Sequence, residues 1–331
     1  MKLLKTERKI NLPNRNGSLK NKIIIGSRGS DLALWQSNYV KRELEKKNKK
    51  LRIEIKIIKT TGDKILDVAL SKIGDRSLFT KELENALLNN EIDLAVHSLK
   101  DLQTLIPEGL KLAVVSKRYS VEDVLISRKK GVTLQSLKEN AIIATGSLRR
   151  KCQLLHFRPD IKIEELRGNV PTRIQKFLKS NWDGIILARA GVERLKLQKY
   201  ISSIISTEEI LPAVGQGALG IEINEENEQV NEILQSIHDE PTYKAVSAER
   251  ALLKALEGGC QVPIGAYAEV KSNGIYLDAM VGSIDGTMSF RKKIRGSKNN
   301  PEKLGRLLAM DLLKAGAGDI LDEIYNTGRK K

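Results

Sequence analysis

Asp101 beside Lys100, Cys260 between glycines and glutamine, and arginines recurring next to small residues are the side chains whose types and spacing suit chemistry. Cys260 sits in Glu257-Gly258-Gly259-Cys260-Gln261-Val262-Pro263, just past a predicted helix. The glycines free the backbone there and leave the thiol unshielded. Two readings stand: a half-buried small residue in a helix-to-strand turn, or an attachment point for a covalent group. Asp93–Val96 reads as a strand, which puts Ser98, Lys100 and Asp101 just past its C-terminal end. A lysine beside an aspartate is most often a solvated pair. At the end of a strand where ligands bind, an acid/base role for Asp101 becomes a candidate.

The arginines fall in four similar places. Ile23-Ile24-Ile25 predicts a buried strand, and Ser30 or Asp31 caps a helix running to about Leu44. Arg28 lies in the loop between them, where a guanidinium and exposed backbone N–H groups make an anion site; a surface arginine in a polar loop is the plain alternative. Ala141–Ala144, the loop Thr145-Gly146-Ser147 and the helix start Leu148-Arg149-Arg150 repeat that plan. Arg167 and Arg173 flank Gly168-Asn169 and the start of another helix, with Pro171 suited to its first turn, after a strand over 161–166. Trp182–Gly191 holds a further strand ending in small residues, with Arg194 on the helix that follows. Arginines at strand C-termini suit a polycarboxylate or a phosphate, because open α/β sheets bind ligands at those ends.

These units must be held by two similar α/β domains facing one anionic ligand across a cleft. A third, α+β unit follows. Tyr243–Glu257 is helical, Ile264–Val270, Ile275–Val281 and Met288–Ile294 are strands, Asn273-Gly274 and Asp285-Gly286 are turns, and Pro301–Lys314 is an amphipathic helix. That gives a three-stranded antiparallel sheet with helices on one face. Gly215-Gln216-Gly217-Ala218-Leu219-Gly220 matches G-x-G-x-x-G literally. It follows Pro212 and enters the strand-like Ile221-Glu222-Ile223, the wrong context for a dinucleotide site. A hinge or interdomain crossing fits so many glycines better.

Composition narrows the class. A chain of 331 residues predicts two or three domains with ample core. The net charge of +16 is drawn partly from the N-terminal tail and from Lys46-Lys47-Asn48-Lys49-Lys50. Such charge attracts nucleic acid, but aromatics are only 4% and do not interleave with the basic residues, so base-stacking platforms are scarce. Two distant cysteines, Cys152 and Cys260, predict no disulfide framework and fit a reducing compartment. His97, His156 and His238 lack metal-ligand spacing, so no metal is expected. No apolar run reaches the roughly 18 residues of a membrane span, and Met1–Lys22 lacks the apolar core of a secretory signal.

Taken in order, the segment Ser30–Trp35 and HSLKD at 97–101, SLRRKCQL at 147–154, LRGNVPTR at 166–173, LPAVGQGALGIE at 211–222 and EGGCQVPIG at 257–265 resemble the porphobilinogen deaminase (hydroxymethylbilane synthase) family, from about Lys22 to Tyr325. The resemblance implies two doubly wound α/β domains like type-II periplasmic binding proteins, residues 22–116 with 217–236 and residues 121–211, joined by two crossings. It also implies the small α+β domain over 240–331, with residues 1–21 as a flexible basic tail. The implied enzyme is a cytoplasmic, monomeric transferase of haem and tetrapyrrole biosynthesis, without nucleic-acid or membrane partners. It joins four porphobilinogen molecules head to tail into hydroxymethylbilane and releases ammonia. Its implied cofactor is dipyrromethane, held as a thioether by Cys260, which makes chain growth effectively intramolecular. By the same resemblance Asp101 is the catalytic carboxylate. It faces pyrrole nitrogens and stabilises the cation left when ammonia departs. Lys100, Ser98, Thr145, Ser147, Arg149, Arg150, Gly168 and Arg173 fall at cofactor-binding positions. Arg28, Ser30, Arg167, Arg173 and Arg194 hold substrate carboxylates, and Phe79 belongs to a mobile lid.

The chain departs from its relatives' pattern at Gly146, where serine is common, at Gln103, where proline is common, and at Ser77 and Pro171. None of these removes a charged group. Two rival classes remain at this level. A non-enzymatic anion-binding protein shares the cleft but has no use for Cys260. A nucleic-acid-binding protein explains the charge but not the arginines at strand ends.

Overall fold

One sheet plan is used twice. The computed structural model describes residues 21–64, 79–257 and 262–329. The first sheet takes β1 (Lys22–Ser27), β2 (Arg52–Ile57), β3 (Leu94–Ser98), β4 (Leu110–Val115) and β10 (Leu219–Asn224) in the order β2-β1-β3-β10-β4. The second takes β5 (Asp123–Ser127), β6 (Ile142–Ala144), β7 (Lys162–Glu164), β8 (Gly184–Ala188) and β9 (Ile201–Ile205) in the order β7-β6-β8-β5-β9. In each, the first three strands are parallel and the fourth runs antiparallel to both neighbours. That fourth strand always comes from the far side of a crossing. The chain leaves the first sheet after β4 to begin β5, and leaves the second after β9 to return as β10.

Helices cover both faces, which is why the central strands are apolar throughout. In the first half these are α1 (Asp31–Lys47), α2 (Thr61–Lys64), α3 (Lys81–Leu88) and, after the return, α7 (Glu228–Leu234). In the second they are α4 (Leu148–Phe157), α5 (Val170–Lys179) and α6 (Arg189–Arg194). Alternate residues of β5 divide between two cores: Leu125 packs with Ile143 and Ile186, Val124 and Ile126 with Ile185 and Phe177. Each such fully buried side chain stabilises by about 1.5–3 kcal/mol. The same brace fixes the central strands in both halves. Asp93 accepts from the Ile24 N–H at 2.8 Å, and Asp183 accepts from the Ile142 N–H at 2.8 Å.

The third unit is built as its alternation predicts. β11 (Ile264–Lys271), β12 (Gly274–Gly282) and β13 (Ser289–Gly296) form an antiparallel sheet. Its Ile275, Leu277, Ala279 and Val281 face Leu252 of α8 (Glu240–Ala255) and Leu304, Leu308 and Leu312 of α9 (Pro301–Leu312). The last helix, α10 (Gly318–Arg329), adds Ile320 and Leu321 to this core. A buried carboxylate ties the unit to the crossings. Glu249 of α8 receives Arg118 Nη1 at 2.6 Å, the Gly215 N–H at 2.8 Å and the Ala268 N–H at 2.7 Å.

The glycines of 215–220 owe their place to this crossing. Gly215 has φ 72° and Gly217 φ 89°. A Cβ on Gly217 would lie 2.7 Å from the Tyr119 carbonyl oxygen, and one on Gly215 would lie 3.0 Å from the Leu99 side chain. Two crossing segments and the loop after β3 pass too close for any larger residue. The strand expected within 182–191 is shorter, because its chain turns into α6 at Arg189. Among the described residues, no helix is long and apolar enough to cross a membrane, and no group of His, Cys, Asp or Glu could hold a metal ion.

Candidate active site

The C-terminal ends of the parallel strands in both sheets meet one pocket. From the first half it is lined by Leu32, Gln36, Ser98 and Lys100, from the second by Arg150, Arg173 and Arg194, and from the return crossing by Gln216, Gly217 and Ala218. Among the described residues, four of its lining side chains are cationic and none is a carboxylate.

Each cation is placed by its own element. Ser98 ends β3, and its hydroxyl accepts from Gln36 Nε2 at 2.7 Å. The next three residues form a single 3-10 turn, Leu99–Asp101. Its apolar Leu99 anchors it in a buried cluster with Leu102, Val115, Ala218 and Val246. That leaves Lys100 half-buried toward the pocket and Asp101 exposed. Burial lowers Lys100 to about 8, against the pull of Asp101. Immediately beyond, Arg250 of α8 donates through Nη1 to the Leu102 carbonyl at 3.1 Å and through Nη2 to the Gln103 carbonyl at 2.6 Å.

In the second half Ser147 caps α4 by accepting from the Arg150 N–H. Arg149 and Arg150 therefore lie in the first helical turn, where the helix dipole disfavours cations. Asp123 of β5 compensates. Its fully buried carboxylate receives Arg149 Nη2 at 2.9 Å, Arg150 Nε at 3.0 Å and Nη2 at 2.8 Å, and Gln216 Nε2 at 3.0 Å. Burial alone would raise its pKa, but the two guanidiniums hold it well below the usual carboxylate range. Arg150 still reaches the pocket. Arg149 donates through Nη1 to the Leu211 carbonyl and is not part of the lining.

Arg173 follows the turn 167–169 on α5, whose N-cap Asn169 accepts from the Thr172 N–H at 2.9 Å. Its Nε donates to the Gly168 carbonyl at 2.6 Å. Burial and the neighbouring Arg150 bring it down to about 10, which leaves it cationic at neutral pH. Arg194, last residue of α6, is 8% exposed and lowered to about 10 by burial. Its Nη2 donates to the Gly217 carbonyl at 2.8 Å, while its Nε is buried with no hydrogen-bond partner among the described residues. Arg28 lies half-buried just past β1, its guanidinium 4.2 Å from the Phe79 ring centroid. Ser30 caps α1. Arg167 is half-buried and pairs with Glu165 at 3.3 Å. Thr145 is buried, and its hydroxyl accepts from the Ser147 N–H. Gly168 takes φ 111° in the turn before α5. Cys260 and Ser77-Leu78 lie outside the described residues. Cys152 is buried against Leu211 and Met280, and burial pushes its thiol up to about 12, so it is inert at neutral pH.

Sequence reasoning passed over Asp123, Gln36, Gln216 and Arg250. Asp123 opens a strand with no motif around it, and only its fold partners reveal it. Gln36 had a weak signal, being polar one turn after Leu32 on a helix facing a cleft.

Two family profiles cover most of the chain. "Porphobilinogen deaminase, dipyromethane cofactor binding domain" matches residues 23–232 and "Porphobilinogen deaminase, C-terminal domain" matches residues 243–314. The porphobilinogen deaminase of Carboxydothermus hydrogenoformans is 51% identical over 306 residues, 92% of this chain and 98% of the relative. That of Chlorobium phaeobacteroides strain BS1 is 50% identical over 315 residues, 93% of this chain and all of the relative. A solved periplasmic VFT2 domain of Bordetella pertussis BvgS overlaps 66% of this chain and 87% of its own at 14% identity, with a TM-score of 0.41, too loose to say more. With half of its residues shared along nearly the whole length of such relatives, and with four cations lining the pocket between its two sheets, the chain belongs to the porphobilinogen deaminase family of dipyrromethane-dependent transferases.

Proposed function

We propose that this chain builds hydroxymethylbilane from porphobilinogen, with Cys260 as the cofactor tether, Asp101 as the catalytic carboxylate and the cleft arginines as clamps for substrate and cofactor carboxylates. The observation that carries the reading is the lining of the pocket: Lys100, Arg150, Arg173 and Arg194 and, among the described residues, no acid. A site that gathers four cations needs an anionic occupant, and each pyrrole of this chemistry brings two carboxylates. The buried, unpartnered Nε of Arg194 supports the same reading, since an orphaned guanidinium N–H is costly until a ligand oxygen accepts from it. When bound, dipyrromethane supplies a covalent primer with a free pyrrole carbon at which chain growth starts.

The roles of the protein groups follow. Lys100, Ser98, Thr145, Ser147, Arg149, Arg150, Gly168 and Arg173 are assigned to the cofactor, Arg149 by holding Asp123 and hence Arg150 in place. Arg28, Ser30, Arg167, Arg173 and Arg194 orient incoming porphobilinogen, and Phe79 closes over Arg28. Asp101 is exposed next to the pocket-lining Lys100; in this reading its negative charge stabilises the cation developed on the substrate ring as ammonia leaves, and it then accepts or relays the proton lost on coupling. We assign residues 22–116 with 217–236, 121–211 and 240–331 to three domains, and 1–21 to a tail. A cytoplasmic monomer acting on a small molecule, with no nucleic-acid or membrane partner, completes the proposal.

Intact mass of the purified protein tests it. The wild type should carry a two-pyrrole adduct and Cys260→Ser should not, because a hydroxyl is a far poorer nucleophile than a thiolate. A serine variant with a normal adduct and normal turnover would make Cys260 merely structural.

A further inference from the structure

We propose that Arg250 is a positioning residue for Asp101, through which helix α8 holds the turn that carries the acid. The proposal rests on the reading of Asp101 as the catalytic carboxylate. Arg250 Nη1 and Nη2 donate to the carbonyls of Leu102 and Gln103, the two residues directly after Asp101, across 148 and 147 residues of sequence. These carbonyls follow a single 3-10 turn and precede β4, so neither belongs to a helix or a sheet ladder. Two donors from one planar guanidinium fix two successive peptide units at once, which an ammonium cannot do.

The upstream side of the turn rests on the same helix. Val246, four residues before Arg250 and so on the same face of α8, packs in the cluster holding Leu99 and Leu102. Lys100 and Asp101 are thus bracketed by Leu99, Leu102 and Gln103, all of which lean on α8. The helix is itself fixed, because Glu249 is fully buried and bonded to Arg118 and to the Gly215 N–H of the crossing. It ends at Ala255, and the chain reaches Cys260 five residues later. Asp101 is exposed, and this backbone grip is what sets its aim.

The test uses cofactor-loaded protein and the variants Arg250→Met, Arg250→Lys and Asp101→Asn. In Arg250→Met, intact mass should show the adduct retained. Amides over residues 99–104 should exchange about tenfold faster or more, as a locally opened segment does, with the rest of the protein unchanged. Turnover should fall about 10–100-fold, with KM moving by less than about threefold, as for a misaimed group that acts in the transition state. Arg250→Lys keeps charge and stem and should recover part of both losses; it carries the test if Met lowers the melting temperature. Adding Arg250→Met to Asp101→Asn should cost nothing further. Wild-type exchange and turnover in Arg250→Met beside an inactive Asp101→Asn overturn this proposal alone. So does a turnover loss that tracks loss of adduct and of melting temperature in both Arg250 variants. Near-normal turnover in Asp101→Asn overturns the carboxylate assignment as well.

Discussion

The two sheets carry nearly the same strand–loop–helix unit, yet their arginines end in different states. Aligned on the N-caps Ser30 and Ser147, Arg28 stands two residues before its cap, whereas Arg149 and Arg150 stand two and three after theirs. Before the cap the chain is still loop, so Arg28 stays half-buried and leans on the Phe79 ring. After the cap the side chains enter the first helical turn against the sheet, where both are about 5% exposed and paired with Asp123. A shift of a few residues around one serine thus separates a half-buried cation beside an aromatic ring from two buried ones paired with a carboxylate. An enzyme that must hold a permanent primer and also admit successive new units has use for both kinds.

Removing Asp123 should break the contrast most severely. Asp123→Asn leaves two buried guanidiniums facing a neutral amide, a loss of about 3–5 kcal/mol, read as a drop in melting temperature. The wild-type pair also has a pH signature. Since the folded state depresses the Asp123 pKa, its stabilisation is present in full above the ordinary carboxylate range and drains as pH falls below it. Asp123→Asn should lack that acid limb, and an unchanged limb would assign it to other carboxylates.

The next largest effect separates the arginines. Arg149→Leu and Arg150→Leu should each lose stability of the same order, about 3 kcal/mol, and assemble cofactor poorly. Arg28→Leu gives up a partly exposed cation–π contact with Phe79, about 0.5–1 kcal/mol. It should keep its adduct and melting temperature yet fail to add further pyrroles. Intact mass and melting on all three decide it; equal melting losses with no difference in adduct would make Arg28 a fold-holding residue too.

The smallest effect concerns Lys100, whose pKa is lowered by burial to about 8. Raising the pH through that value removes its charge before any ligand carboxylate is present. Cofactor uptake by apo-protein, followed by intact mass over time, should therefore slow above about pH 8. In Lys100→Met uptake should be slower throughout and lack that step. A wild-type profile without the step would mean that Lys100 does not meet a carboxylate.

Much of this was legible beforehand because local signals are dense at the strand–loop–helix units. Ser30 and Ser147 as caps, Pro171 in the first turn of α5 and the alternation of Ile275, Leu277, Ala279 and Val281 all follow from short-range sterics and hydrogen bonding. The glycines at 215 and 217 announced a tight passage but not its cause, since Leu99 and the Tyr119 carbonyl lie about a hundred residues away. The expected pair Arg149-Arg150 was visible as two like residues. That only Arg150 reaches the pocket depends on where Leu211 and Asp123 arrive.

By itself, then, the sequence determined which segments are strands and helices, which ends carry cations, that the chain makes two α/β units and an α+β unit, and which family its ordered motifs resemble. Those properties rest on contacts within a few residues of each other or on patterns readable along the chain. Only the tertiary structure decided that Asp123 sits between two guanidiniums, that Arg194 keeps a buried nitrogen with no partner among the described residues, and that Arg250 reaches across from α8 to the peptides after Asp101. Each of these joins residues far apart in sequence, and the charge state and freedom of every group in the cleft depend on such partners more than on its immediate neighbours.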